Sequence, residues 1–319
     1  MNKNRIGEKN INNQGLSMEI IEYNRYTNII ILFEDGFKRS ATYSAFVAGN
    51  IKHPNFRDRR FIDRTGETIG NTSGLVMKII GYRRCRDIDI EFINSGYKIY
   101  NTTYSNFKSG NLKDFLSPCI YGIGYLGDGK YRCKEKDKKD TTEYSRWYKM
   151  MNRCYNEKTL IKHPTYIGCS VDKEWYNFQN FARWYNDNLW TKEESLQLDK
   201  DILIKGNKIY SSSNCVLVPP KINSLFTKRE KDRGLYPIGV SKHKVNGTYI
   251  AVTNDGNGNS RNGSVYLGSF DTPIEAFNAY KQFKESYIKQ VADDYANKYP
   301  NFPKRLYDAM YKYEVEITD

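Results

Sequence analysis

Histidine is scarce in this chain: 319 residues contain only His53, His163 and His243. The six cysteines, at positions 85, 119, 133, 154, 169 and 215, include no C-x-x-C pair. Structural zinc needs closely spaced Cys and His ligands. No zinc site is therefore expected, and the thiols are read as reduced and mostly buried. Long apolar runs are also missing. Mean hydropathy is −0.74, and no stretch approaches the roughly 18–20 apolar residues of a membrane span. The first fifteen residues hold no apolar run, so neither a secretory leader nor a membrane partner is expected. No Gly-rich strand-to-helix phosphate loop and no Ser/His/Asp arrangement occurs, which leaves nucleotide hydrolysis and acyl transfer without a motif.

Positive charge and tyrosine are abundant. There are 50 Lys+Arg against 37 Asp+Glu, a net charge of +13, and 27 Tyr. Hydrophobic residues make up 39% and aromatic residues 14%, enough to build cores and to exclude wholesale disorder. A basic chain without a membrane span points to a polyanionic partner, nucleic acid first. Tyr and Arg suit protein interfaces equally well, which keeps a protein partner as the alternative.

Internal repetition organises the N-terminal third. GLSMEIIEY from Gly15 recurs as GLVMKIIGY from Gly74. Downstream, Ile29, Ile31 and Phe33 match Ile88, Ile90 and Phe92, and Tyr43, Phe46 and Gly49 match Tyr104, Phe107 and Gly110. Each copy reads as strand, turn, strand, turn, strand. Asp35-Gly36 gives a hairpin signal, and DIDIEF alternates apolar Ile88, Ile90 and Phe92 with acidic neighbours. Units this short suggest small bent sheets or barrels, over 14–62 and 73–128, that pack together because each is marginal alone.

A Gly-rich stretch at 121–129 and the charge run KYRCKEKDKKD precede a helix capped by Asp140 or Thr142. Its apolar spacing is Tyr144, Trp147, Tyr148, Met151, Cys154 and Tyr155, with Arg146, Lys149 and Arg153 on the polar side. A second aromatic helix carries Trp175, Phe178, Phe181 and Trp184. Then come a strand, a turn at Lys205-Gly206-Asn207, a second strand, and a helix from Pro219 or Pro220. In the C-terminal part, IGVSKHK, GTYIAVTND and SVYLGSF read as three strands. Thr272-Pro-Ile-Glu275 is a capping box opening a long helix with stripe residues Ala276, Ala279, Tyr280, Phe283, Tyr287 and Val291. Three strands and a helix make a self-contained module over 234–298, followed by a tail, 299–319, with a short helix.

Two of these segments resemble known families. Residues 144–229 are similar to the HNH-type nuclease region of phage proteins, homing endonucleases included. The resemblance is carried by Trp147, Met151, Arg153-Cys154-Tyr155, Glu174-Trp175, Phe178, Phe181, Leu198-Asp199, Asn207, Tyr210-Ser211, Asn214-Cys215 and Asn223. It implies a ββα-metal unit over 140–230 that holds Mg²⁺ against a scissile phosphate. Asp199 matches the metal carboxylate, Asn214 the Asn that braces the loop, and Asn223 a second metal ligand. The family's general-base histidine is replaced by Lys200. An ordinary lysine is already protonated near neutral pH, so Lys200 is expected to grip phosphate, and cleavage is in question. His163 is the histidine nearest in sequence and reaches the site only if the chain folds back.

Residues 236–294 resemble the Apetala-two-type DNA-binding domain. The resemblance rests on Gly239-Val240, Gly247-Thr-Tyr-Ile-Ala251, Tyr266-Leu-Gly-Ser-Phe-Asp271 and Glu275-Ala-Phe-Asn-Ala-Tyr280. It implies a three-stranded sheet entering the DNA major groove, with Lys242, Lys244, Tyr249 and Arg261, and Thr253 as a further candidate, as readers. Arg146, Lys149 and Arg153 of the central helix are the expected backbone contacts. The whole reading is a multidomain α+β protein of phage type, acting in the cytoplasm of a bacterial host cell on double-stranded DNA. The alternative is a non-catalytic factor engaging a host protein, such as a defence complex.

Overall fold

The computed structural model describes residues 5–56, 62–227, 235–254 and 264–319. The chain is mixed α+β and divides after Asp114 into two compact units. In the first unit, β1 (Lys9–Ile11), β2 (Ser17–Arg25), β3 (Asn28–Phe33) and β4 (Lys38–Ala41) form an antiparallel meander followed by α1 (Tyr43–Val47). The same order returns in β5 (Thr68–Gly70), β6 (Val76–Arg84), β7 (Asp87–Phe92), β8 (Lys98–Thr102) and α2 (Tyr104–Ser109). Even the register repeats. Ile20 pairs with Ile31 and Ile79 with Ile90, each next to a bulge at the following residue. Bulges add twist and bend the sheet.

Each copy differs from the three-strand expectation in two respects. A short first strand was not legible, and the Tyr43 and Tyr104 segments are helical, capped by Thr42 and Thr103. The copies also share a cluster that begins before the recognised repeat. Arg5 and Arg64 lie over the rings of Tyr43 and Tyr104 at 4.2 and 4.6 Å. Tyr43 Oη donates to Glu8 at 2.8 Å and Tyr104 Oη to Glu67 at 3.0 Å. The two apolar clusters remain separate, one around Ile20, Ile31 and Phe46, the other around Ile79, Ile90 and Phe107. Instead of a common core, each sheet closes against its own helix.

The second unit begins with the Gly-rich stretch, which packs on the aromatic helices rather than completing a β repeat. Gly127 has φ 70°, and a Cβ there would lie 2.0 Å from Asn177 Oδ1. The helical elements are α3 (Thr142–Tyr155), α4 (Glu157–Lys162) and α5 (Phe178–Asp187). Thr141 caps α3 through its side chain, in place of the two residues expected. Trp147, Trp175, Phe178 and Phe181 are fully buried, and Trp147 Nε1 donates to Trp175 O at 2.7 Å.

Two small sheets follow. β9 (Ser170–Val171) pairs in parallel with β11 (Ile209–Tyr210), and β10 (Gln197–Asp199) pairs antiparallel with β12 (Val216–Val218). Helix α6 (Pro220–Leu225) comes next. The C-terminal sheet has the order β13 (Val240–Lys242), β14 (Tyr249–Asn254), β15 (Ser264–Phe270).

Helix α7 (Pro273–Lys298) starts at the expected capping box and serves two cores. Phe277 and Tyr280 pack under the C-terminal sheet, while Tyr287, Ile288, Val291, Ala292 and Tyr295 belong to the central core. The C-terminal module is therefore continuous with the central one. Helix α8 (Lys304–Tyr311) adds Leu306 and Met310 to the central core.

Candidate nucleic-acid interface

The loop joining β10 to β11 starts at Asp199, whose Oδ1 accepts from Asp201 N at 2.9 Å and Ile202 N at 2.8 Å. These bonds fix the carboxylate and leave Oδ2 without a bond to the loop backbone. Burial, reinforced by neighbouring Asp201, pushes the Asp199 carboxyl up to about 6. The backbone amides oppose this only partly.

Lys200 is 7% exposed. Its Nζ donates to Asp201 Oδ2 and to Asn207 O, both at 2.9 Å. Burial works against its charge, but the ion pair with Asp201 outweighs it, and the ammonium is held more firmly protonated than usual. Lys200 Nζ is thus engaged by its own loop, while the residue also lines the cavity it shares with Asp199.

The brace of that loop is Asn207. Its Nδ2 donates to Lys200 O at 2.6 Å and Ile209 O at 2.8 Å. Asn214 reaches the loop only through Asn207, donating to its Oδ1 at 3.3 Å. Asn223, on α6, donates through Nδ2 to Gln197 Oε1 at 2.7 Å, which ties the helix to the strand carrying Asp199.

Asp199 and Asn223 line one cavity of about 890 Å³. The chain does fold back: His163, Thr165 and Tyr166 form part of the wall, along with Arg153, Lys205, Lys208 and Tyr313. Arg153 lies 5.4 Å from the Tyr166 ring centroid. A second cavity of about 520 Å³ shares Arg153, His163 and Tyr166 and adds Lys149, Asn152, Lys158, Thr159 and Lys162. Arg146, in contrast, lines neither; its Nη2 donates to Ser195 Oγ at 2.9 Å.

At the C-terminal sheet the expected readers are dispersed. Strand alternation assigns Lys242 to the face of Val240 and Tyr249 to the face of buried Ala251, the side where α7 packs. Lys242 is nevertheless exposed, Lys244 lies in the exposed turn beyond the strand, and Tyr249 stacks edge-on against Tyr236 at 5.2 Å. Thr253 is buried. Arg261 lies outside the described residues. The opposite face presents Ser241, Ile250, Val252, Tyr266 and Ser269, which carry no charge.

Sequence reasoning missed Lys158, Lys162, Lys205, Lys208 and Tyr313. The one available signal was the pair of lysines four apart on a short helix after α3. The six cysteines form no disulfide; Cys154, Cys169 and Cys215 are buried as expected, Cys133 is half-buried, and Cys85 and Cys119 are exposed. Among the described residues no helix is long and apolar enough to cross a membrane. No family model matches the chain, and no curated protein or solved structure matches it.

Proposed function

We propose that residues 115–319 bind double-stranded DNA, with one strand's backbone lying in the cavity of Asp199 and Asn223. The chemistry of that cavity carries the reading: Arg153 and Lys208 share its wall with the fixed carboxylate of Asp199, in a chain of net charge +13, while Lys205 in the same wall is engaged by Glu316 and Asp319. A duplex is a dense line of phosphates, and cations that replace its counterions gain affinity by releasing them.

Metal-assisted nicking is the chemistry this cavity would add. Mg²⁺ is usually held by one or two carboxylates, with waters and substrate phosphates completing its shell. Asp199 and Asn223 would be the protein's ligands: Asn223 Nδ2 donates to Gln197, which leaves its Oδ1 for the ion, while the Asp199 carboxylate is held by the amides of Asp201 and Ile202 and by the Asp201 side chain. The described residues contain no cluster of three or more His, Cys, Asp or Glu, so phosphate and water would supply the remaining ligands. A bound ion would polarise a phosphoryl oxygen. His163, in the same wall, would be the candidate base for an attacking water, since the Lys200 ammonium is held protonated.

Two assays test the reading. Fluorescence anisotropy with a labelled duplex should show affinity falling steeply with salt; absent or salt-independent binding overturns it. Supercoiled plasmid with Mg²⁺ or Mn²⁺ should be nicked by the native chain and not by Asp199→Ala. Equal nicking by both removes Asp199 from the reaction, and no nicking by either leaves a protein that only binds.

The outer-face strand residues described in the C-terminal sheet carry no charge, which favours a second reading at that surface, a protein partner. Tyr266 is 64% exposed there. Tyr266→Glu should abolish DNA binding if the sheet enters a groove, and should leave it intact if the cavity alone holds DNA.

A further inference from the structure

Helix α3 carries Lys149 and Arg153 one turn apart, and α4 carries Lys158 and Lys162 one turn apart. Like charges at this spacing repel and destabilise a helix. Among the described residues, no Asp or Glu lies within ion-pair distance of any of the four. All four line the smaller cavity, which has no carboxylate in its wall.

The groove is also rigidly built. Asn156 ends α3 and caps α4, with its Oδ1 accepting from Thr159 N at 3.1 Å. Thr159 Oγ1 donates to Asn152 Oδ1 at 2.7 Å, tying the helices across the turn. The self-repelling Lys158–Lys162 pair, with Lys149 in the same wall, is thus fixed facing a common space, a cost that an external polyanion offsets; Arg153, steadied by Tyr210 and by the Asp199 carboxylate, joins that space to the Asp199 cavity.

We infer that the α3–α4 groove is a second phosphodiester subsite, which carries the strand backbone away from the Asp199 cavity through Arg153. Arg153 belongs to both walls. A single small anion would engage part of the groove, whereas a polymer of regular negative charge meets both helical pairs together. The inference rests on the DNA reading above and specifies the path of the strand.

The test compares Lys158→Gln/Lys162→Gln with a control, Lys192→Gln, an exposed lysine lining neither cavity. Duplex affinity is measured by anisotropy across a salt series, with thermal unfolding to confirm that each variant is folded. Each lost phosphate contact should flatten the log–log salt slope by about 0.9 and weaken binding at about 0.1 M salt roughly eightfold. The double variant should flatten the slope by about 1.8 and weaken binding roughly sixtyfold, and the control should keep the native slope. A native chain that binds duplex DNA with a slope the double variant shares overturns the subsite and leaves the DNA reading standing. A native chain that does not bind at all overturns both. If binding to a polyglutamate of matched charge falls equally, the groove answers to any polyanion and the phosphodiester assignment is overturned.

Discussion

Lys205 Nζ lies 2.8 Å from Oδ2 of Asp319 and joins the Asp199 loop to the end of the chain. The same ammonium reaches Glu316 Oε1 at 3.1 Å and Glu314 O at 3.2 Å. Val315, between those two acids, is buried under the C-terminal sheet, and Lys281 Nζ donates to its carbonyl at 2.9 Å. The tail is thus a strut from the candidate site to the base of α7. Asp319 is 2% exposed, so removing its charge leaves Lys205 with Glu316 as its remaining ion-pair partner. Asp319→Asn should cost about 1–2 kcal/mol in urea unfolding, and an unchanged midpoint would show that the strut bears no load.

Stability should depend on the protonation of Asp199. Its folded value, about 6, lies above the ordinary carboxylate value of 3.8, so the folded state holds the proton more tightly than the unfolded chain. Stability is therefore greatest at the acid end of that window and falls as pH rises from about 4 to about 6. Asp199→Asn keeps an oxygen to accept from Asp201 N and Ile202 N but cannot ionise. At pH 7 it should be more stable than the native chain by on the order of 1 kcal/mol. Denaturation at pH 5 and pH 7 checks this: the gap should narrow at pH 5, and a gap that is constant or of opposite sign rejects it.

Gly127 and Gly122 separate steric clash from backbone strain. Both have φ 70°, but a Cβ at Gly122 meets nothing within 4 Å. At Gly127 the added atom would strike Asn177 Oδ1, which caps α5 by accepting from Gln179 N at 2.9 Å. Gly122→Ala should cost about 1 kcal/mol, from the left-handed conformation alone. Gly127→Ala should cost about 2–3 kcal/mol, because the cap is displaced as well. Equal denaturant midpoints for the two variants would contradict this.

The Arg–Tyr–Glu clusters of the two copies should behave as equivalents. Tyr43→Phe and Tyr104→Phe each remove a hydroxyl bonded to Glu8 or Glu67. Because the cores are separate, the thermal shifts of the two variants should be similar and should add in the double variant. Strong non-additivity would mean that the copies share a core.

The strands of the repeats were legible because one buried face imposes alternation, as in DIDIEF, where Ile88, Ile90 and Phe92 are all buried. The capping box of α7 was legible because both of its bonds are local. The α3–α4 groove was not, since nothing in the spacing of Lys158 and Lys162 tells which helix they will face. The role of Asn207 was hidden for the same reason. Whether an amide braces a loop depends on which carbonyls the turn brings to it, here those of Lys200 and Ile209. Strand alternation, followed from Val240 and Ala251, would have turned Lys242 and Tyr249 toward the helix side. The Lys205–Asp319 contact spans 114 residues and leaves no local trace.

The double allegiance of α7 bears on how this protein can be taken apart. A fragment cut near residue 235 to isolate the three-stranded sheet would carry Tyr287, Ile288, Val291, Ala292 and Tyr295 as a bare oily stripe. Such a piece would aggregate, and the remainder would be left with a hole where that stripe had been. The sheet and the central core must then be expressed and unfolded as one object.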